Sequence, residues 1–184
     1  MIFREIEDRD LILRSQKGDV DAYNVLVSRW EKRVYNYLLR QLHNREDALD
    51  LTQDTFLKAY QGLPRLKEPD RFAQWLFRIA RNEAVSLFRR TNRFRDEEIP
   101  EAVEGGVVSV GGSRAFSAEW SLMVERALDQ LTPEQRETVL LKVYEGFKFH
   151  EIAEILSCPV STVKSRLYTA FEALKESLAP VASE

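Results

Sequence analysis

The sequence predicts an all-α protein of two small helical domains joined by a flexible linker, and three observations predict it. Apolar residues recur at three- and four-residue spacing through most of the chain, the period of an amphipathic helix. Helix-opening signals stand where one such run gives way to the next, above all Thr132-Pro133-Glu134-Gln135, a capping box with proline at the first helical position. From Asp96 to Ser117 the period vanishes, and four of the seven glycines (Gly105, Gly106, Gly111 and Gly112) fall there, the composition of a coil. The expected boundaries are therefore 1–95, a linker over 96–116, and 117–179.

The N-terminal domain reads as four helices. Ile6 to Gln16 is a short one, closed at Lys17-Gly18-Asp19, where Gly18 suits a left-handed C-terminal position and Asp19 can cap the next start. The second keeps Tyr23, Leu26, Val27, Trp30, Val34, Tyr37 and Leu38 on one face, up to Leu42. Asn44 caps a third, with Glu46 and Asp47 in its first turn, where negative charge suits the helix dipole. This third helix, DALDLTQDTFLKAYQGL, is expected to pack through Ala48, Leu49, Thr52, Phe56, Ala59 and Tyr60, leaving Asp50, Gln53, Asp54, Leu57, Lys58 and Gln61 outside. Leu57 among acids and amides is either an ordinary exposed apolar residue or the centre of a polar-rimmed docking patch.

Pro64 to Pro69 is a loop, and Asp70 opens the fourth helix, RFAQWLFRIARNEAVSLFRR. Phe72, Leu76, Ile79 and Leu87 are expected inside, with Gln74, Phe77, Arg78, Arg81 and Val85 outside and Trp75 and Asn82 at the other flank. Rings beside guanidinium groups are the ingredients of single-strand binding, because rings stack on unpaired bases while arginines hold the backbone. Core packing accounts for most of Trp75 and Phe72, and less easily for Phe77 beside Arg78 and Arg81. Charge points the same way: Arg71, Arg78, Arg81, Arg89, Arg90, Arg93 and Arg95 stand against one acid, Glu83, and an acidic run (Asp96, Glu97, Glu98, Glu101, Glu104) follows directly. That segregation suits a local nucleic-acid surface beside a linker it does not draw into a fold.

In the C-terminal domain Ser117 is expected to cap a helix carrying Leu122, Val124, Ala127, Leu128 and Leu131. The helix opened at Thr132 takes Val139, Leu140, Val143 and Tyr144 to a stop at Gly146. Lys148 to Leu174 then reads as two short helices joined by a tight turn. Ile152, Ala153, Ile155 and Leu156 make the apolar face of the first, and Pro159 in Ser157-Cys158-Pro159 stops it. Val160, Val163, Leu167, Ala170, Phe171 and Leu174 form the buried stripe of the second. Opposite lie Ser161, Thr162, Ser165 and Thr169, flanked by Lys164, Arg166 and Tyr168, groups that bond phosphates and base edges. The plain alternative is a solvated helical hairpin. A short first helix, a sharp turn and a polar outer face on the second occur together here, which is the pattern of a DNA-binding helix-turn-helix.

Composition narrows the field. With 184 residues, 44% of them hydrophobic, the chain has enough apolar matter for packed cores. No apolar run reaches the ~18 residues of a membrane span, and the start, MIFREIEDRD, is too acidic and broken for a signal peptide, so a cytoplasmic protein is expected. Cys158 alone makes neither a disulfide nor a metal site and reads as a packing residue. A net charge of −3 argues against a protein that coats DNA unaided. An enzyme finds little support: His43 and His150 lie in different domains, and neither a nucleophile motif nor a phosphate-binding glycine loop is present, so no cofactor is expected. A coil of about 20 residues spans roughly 25 Å, against ~35 Å for one DNA turn, so two domains on such a linker could share one duplex.

This organisation resembles the extracytoplasmic-function (ECF) sigma factors of bacterial RNA polymerase, within the sigma-70 family. The resemblance rests on GDVDAYNVLV (Gly18–Val27), DALDLTQDTFLKAY (Asp47–Tyr60), FAQWLFRIARNEAVSLFRR (Phe72–Arg90), LTPEQRETVLLKVYEGFKFHEIAEIL (Leu131–Leu156) and CPVSTVKSRLYTAFEAL (Cys158–Leu174), in that order over nearly the whole chain. It implies sigma region 2 in 1–95, which binds the polymerase core and the minus-10 element, and sigma region 4 in 117–179, which binds the minus-35 element. The Asp50–Leu63 helix would dock on the coiled coil of the largest polymerase subunit through Asp50, Gln53, Asp54, Leu57, Lys58 and Gln61. The Phe72–Arg90 helix and the loop Leu63–Arg71 would open and read the minus-10 element through Arg71, Trp75, Phe77, Arg78, Arg81, Asn82, Arg89 and Arg90. Asn82 stands where family members contact a flipped-out base, whose extrusion costs a few kcal/mol that stacking and edge bonds must offset. The helix near Ser161 would read the minus-35 duplex through Ser161, Thr162, Lys164, Ser165, Arg166, Tyr168 and Thr169.

The resemblance thus implies a promoter-specificity subunit without chemistry of its own, partnered by polymerase core, promoter DNA and an anti-sigma factor, acting in a stress or envelope response and not inserted in a membrane. The other function the residues allow is a stand-alone helix-turn-helix regulator whose N-terminal half senses a ligand or dimerises. The basic aromatic helix and the Leu57 face favour the sigma factor. Against the family pattern, Lys148 stands where a capping Ser or Thr is usual and His150 where an acid is common, while the small residue usual before the recognition helix is here Ser161, which can itself cap.

Overall fold

The computed structural model describes residues 6–95 and 115–178, and every regular element among them is helical. The all-α expectation is met. The chain divides into two compact units, Met1–Ala102 and Val103–Glu184. The expected linker, apart from Ala115 and Phe116, and the tail expected to fray from Ala179 lie outside the described residues.

The first unit holds α1 (Asp8–Gln16), α2 (Val20–Leu42), α3 (Arg45–Gly62) and α4 (Phe72–Arg95), with short 3-10 turns at Leu63–Arg65 and Pro69–Arg71 in the loop between α3 and α4. Each start has a local cause. Gly18 sits at φ +92 and turns the chain, and the Asp19 carboxylate accepts from the Ala22 N–H at 3.0 Å. That backbone bond and the Arg14 guanidinium beside it hold the Asp19 carboxyl below its ordinary range. His43 takes the left-handed conformation (φ 55) to end α2, and Asn44 Oδ1 accepts from the N–H groups of Glu46 (2.9 Å) and Asp47 (3.2 Å) to start α3. Asn44→Ala is expected to destabilise this unit by about 1 kcal/mol, read as a lower denaturant midpoint at unchanged slope. An unmoved midpoint would assign the helix start to packing alone.

α2 packs against α1, α3 and α4. Ile12, Leu26, Val34, Leu38, Leu76 and Phe77 are fully buried between them, each worth ~1.5–3 kcal/mol of transfer free energy. The Tyr23 hydroxyl donates to the Phe56 carbonyl at 2.5 Å, and burial pushes the phenol up, so it remains a neutral donor.

α3 presents a different face to this core than its apolar pattern suggested. Ala48, Leu51, Thr52, Thr55, Phe56 and Ala59 are inside, while Leu49 and Tyr60, expected inside, are exposed. The threonines can be buried because each hydroxyl donates at 2.6 Å to the carbonyl one turn back, Thr52 to Ala48 and Thr55 to Leu51, leaving no unpaired donor.

The second unit holds α5 (Ala115–Asp129), α6 (Pro133–Val139), α7 (Phe149–Leu156) and α8 (Val160–Leu178). α5 begins at Ala115, so Ser117 lies within the helix and does not cap it. Thr132 and Gln135 form the expected capping box: Thr132 Oγ1 accepts from the Gln135 N–H at 3.3 Å, and Gln135 Oε1 accepts from the Thr132 N–H at 3.1 Å. After Val139 the helix widens into a π turn, Leu140–Tyr144, in which the Glu145 N–H reaches the Leu140 carbonyl at 3.1 Å. Leu140 and Leu141 stay buried, but Val143 and Tyr144, expected to pack, turn outward. Gly146 (φ +74) then redirects the chain. α7 starts with half a capping box, the Lys148 N–H donating to Glu151 Oε2 at 2.7 Å, because lysine has no acceptor to return. Leu128, Leu131, Val139, Leu167 and Ala170 form the core beneath α8. Among the described residues no helix is long and apolar enough to cross a membrane.

Candidate nucleic-acid interface

The turn between α7 and α8 sets up the first surface. Ser157 adopts the left-handed conformation (φ 53), and the Cys158 N–H donates to the Ala153 carbonyl at 3.0 Å. α7 therefore ends at Ser157 by a left-handed cap, without needing the proline. Pro159 instead opens α8, its carbonyl accepting from Thr162 (3.0 Å) and Val163 (3.2 Å). Ser161 lies in the first turn of α8 and is not its cap.

α8 buries Val163, Leu167 and Ala170 and exposes Ser161, Lys164, Ser165, Tyr168 and Thr169, with Thr162 and Arg166 half-buried. The polar face is the expected one. Its apolar stripe is narrower, since Val160 and Phe171 are exposed. Tyr168, 63% exposed, is the most open aromatic on this face. Thr169 Oγ1 already donates to the Ser165 carbonyl at 2.9 Å, so it offers a ligand an acceptor. Lys164 Nζ stands 5.7 Å from the Phe149 ring, a contact that holds the ammonium near the α7 end of the surface.

α4 makes the second surface. Arg78, Asn82, Arg89 and Arg90 are exposed, and Arg71, Trp75 and Arg81 are half-buried. At 100° per residue, Arg78, Asn82 and Arg89 fall within about 40° of one another, so two cations bracket the amide along one line. Phe77 is not on this surface. Expected outside, it is wholly buried, with its ring 5.3 Å from Tyr37 and 6.5 Å from Trp30. The Arg33 guanidinium lies 4.6 Å from the Trp30 ring and 5.9 Å from Phe77, closing the cluster from above. The buried face of α4 runs through Phe72, Leu76, Phe77, Ala80 and Ala84, whereas Ile79 and Leu87 sit at its margins. Trp75 remains available in part, yet its orientation is fixed: a Cβ on Gly62 would stand 2.9 Å from the indole Cζ2, so the ring lies on the bare backbone of the α3 end.

α3 carries a third surface of another kind. Asp50, Gln53, Asp54, Leu57, Lys58 and Gln61 are all exposed, as expected, and Leu57 is 56% exposed. Asp50, Asp54, Leu57 and Gln61 lie within about 60° of one another, an apolar centre with a polar rim. Two residues not expected here extend it, Leu49 (50% exposed) and Tyr60 (42%), whose ring also rests 4.9 Å from Tyr23. Lys58 is not a free charge: its ammonium pairs at 2.5 Å with the buried Glu83 of α4. That pair explains the lone acid in the arginine-rich stretch, and the only sequence signal for it was its isolation among cations.

The chain has recognisable relatives. Residues 26–94 match the family model of Sigma-70 region 2, and residues 121–174 that of Sigma-70, region 4. The chain is 30% identical over 187 residues to the RNA polymerase sigma-H factor of Pseudomonas aeruginosa, with 97% of each chain covered. It is 31% identical to the ECF RNA polymerase sigma-E factor of Haemophilus influenzae, covering 96% of this chain and 98% of that one.

The chain belongs to the ECF sigma factors of the sigma-70 family.

The region 2 match falls within the first compact unit of this sigma factor and the region 4 match within the second. Among solved structures the sigma factor is similar to RpoE of Bartonella quintana, seen in complex with the anti-sigma factor NepR (TM-score 0.72, 26% identity, 85% of this chain and 96% of that one). It is similar also to CnrH, seen in complex with the cytosolic domain of CnrY (TM-score 0.70, 26% identity, 96% and 99%). A sigma factor directs promoter-specific initiation by RNA polymerase and is not an enzyme, so the stand-alone regulator is not the favoured reading.

Proposed function

We propose that this sigma factor docks on the coiled coil of the largest polymerase subunit through the α3 face around Leu57 and reads its promoter with two separate surfaces. Residues 1–95 hold core and minus-10 binding, 117–179 hold minus-35 binding, and 96–116 join them. The observation that carries the reading is Leu57, an exposed apolar side chain centred in a polar rim, since such a patch serves a protein partner and has no use in gripping DNA. Its test is the mixing of the full chain with purified core polymerase: a one-to-one complex on gel filtration is expected. A chain that ignores the core and binds duplex tightly alone is a stand-alone regulator.

At the minus-10 element Arg71, Arg78, Arg81, Arg89 and Arg90 supply charge for the strand backbone, the half-buried Trp75 a ring for stacking, and Asn82 an amide for a base edge. Phe77 has no part in this, being internal. At the minus-35 duplex Lys164, Ser165, Arg166, Tyr168 and Thr169 reach the groove, with Ser161 and Thr162 at the N-terminal end of α8 beside phosphate. Arg166→Ala is expected to weaken binding to the upstream element by ~1–3 kcal/mol with relaxed preference at one base pair. A loss uniform over all sequences would assign Arg166 to a phosphate instead.

An anti-sigma factor that occludes these surfaces, in a stress or envelope response in the cytoplasm, completes the reading. Its support is the similarity to two sigma factors solved with such a protein or domain bound. Purification of the chain from cells with polymerase but with no inhibitory protein, under every growth condition, would count against it.

A further inference from the structure

α1 lies outside the three surfaces described above, yet it holds the loop that joins two of them. Gln16, the last residue of α1, donates from Nε2 to the carbonyls of Leu63 (3.0 Å) and Leu66 (2.7 Å). The Leu66 N–H also donates to the Leu63 carbonyl, at 3.0 Å, closing the first 3-10 turn of the loop. Both N–H protons of one planar amide are thus spent on two carbonyls three residues apart. At the far end of the loop Arg9 Nη1 meets Asp70 Oδ2 at 2.5 Å, a pair exposed on both sides. Leu63 is buried, while Arg65 and Lys67 between the two ties are exposed. α1 is itself fixed by Leu11 and Ile12, which are buried, so it is a firm base for this brace.

We propose that Gln16 is a positioning residue for minus-10 recognition: it fixes the backbone of loop 63–71 in one geometry, so that the loop and the start of α4 meet an unpaired base in a defined register. This rests on the reading of that loop as part of the minus-10 surface. Gln16 is half-buried at the end of α1, and the helix is held by buried Leu11 and Ile12 and not by this amide. Its loss therefore frees the loop more than it unfolds the unit. The Arg9–Asp70 pair, screened by solvent on both sides, contributes far less.

The test uses the full chain with core polymerase on promoters randomised across the minus-10 element and constant at minus-35. Gln16→Glu keeps the shape of the side chain but turns a carboxylate, which only accepts, toward two carbonyl oxygens; Gln16→Ala removes the brace. Both are expected to lower base discrimination within the minus-10 element by about tenfold, toward the low end of the roughly 5- to 150-fold that two neutral hydrogen bonds correspond to. Core binding and minus-35 preference stay at wild-type values, and Arg9→Ala changes nothing beyond about twofold. Amide exchange in the free protein should quicken in 63–71 while protection in α2 and α3 holds. Unaltered minus-10 preference in both Gln16 variants, with the wild type discriminating normally, overturns the inference alone. A wild type that does not discriminate at minus-10 overturns the underlying reading of the loop and the inference with it.

Discussion

Phe77→Ala is expected to destabilise the first unit by about 3–5 kcal/mol, a large part of the 5–15 kcal/mol by which a domain is typically stable, as a rough guide. The ring is wholly buried, makes edge-on contacts with Tyr37 and Trp30, and lies under the Arg33 guanidinium. Removing it leaves a cavity that the aromatic neighbours cannot collapse to fill, and Arg33 loses one of the two rings it covers. Chemical denaturation followed by tryptophan fluorescence checks it, because Trp30 is in the cluster and reports on its loss. An outward stacking ring would behave oppositely, giving wild-type unfolding and a loss confined to DNA. That outcome would contradict the packing described here.

Leu57→Asp is expected to abolish promoter-directed transcription by lowering affinity for core polymerase more than about 100-fold. Truncating an apolar anchor at the centre of an interface costs upward of ~2 kcal/mol, and a carboxylate placed there adds the cost of burying an unpaired charge. Leu57 is exposed and its helix is held by the opposite face, so folding and duplex binding by α8 should be untouched. Titration of labelled chain with core polymerase, paired with a thermal melt, separates the two effects. A variant that binds core as the wild type does would place the docking surface elsewhere.

Much of this was legible in the sequence because it rests on local signals. Asn44, Asp19 and the Thr132–Gln135 box act within a few residues of themselves, and each caps as the sequence said. The polar face of α8 was legible too, since Val163, Leu167 and Ala170 fix which side is buried. Elsewhere hydrophobicity alone does not decide which side chains are buried. On α4 Ala80 and Ala84 are buried although they carry little apolar weight, and at 100° per residue Phe77 falls on their side of the helix. On α3 two threonines take inside positions by bonding their own helix, and Leu49 and Tyr60 are left out. The π turn at Leu140–Tyr144 has no local signature, and by widening one turn it carries Val143 and Tyr144 off the buried side. The Lys58–Glu83 pair and the Gln16 brace join residues 25 and 47 to 50 positions apart, beyond what periodicity can report.

As a sigma factor, this chain gives a polymerase its promoter. The most direct measurement is transcription by purified core polymerase, with and without the full chain, on fragmented genomic DNA, with the 5′ ends of the products sequenced. Discrete starts are expected that appear only with the chain and share two upstream motifs, one near minus-10 and one near minus-35. Starts that are unchanged by the chain, or that share no motif, would contradict that role.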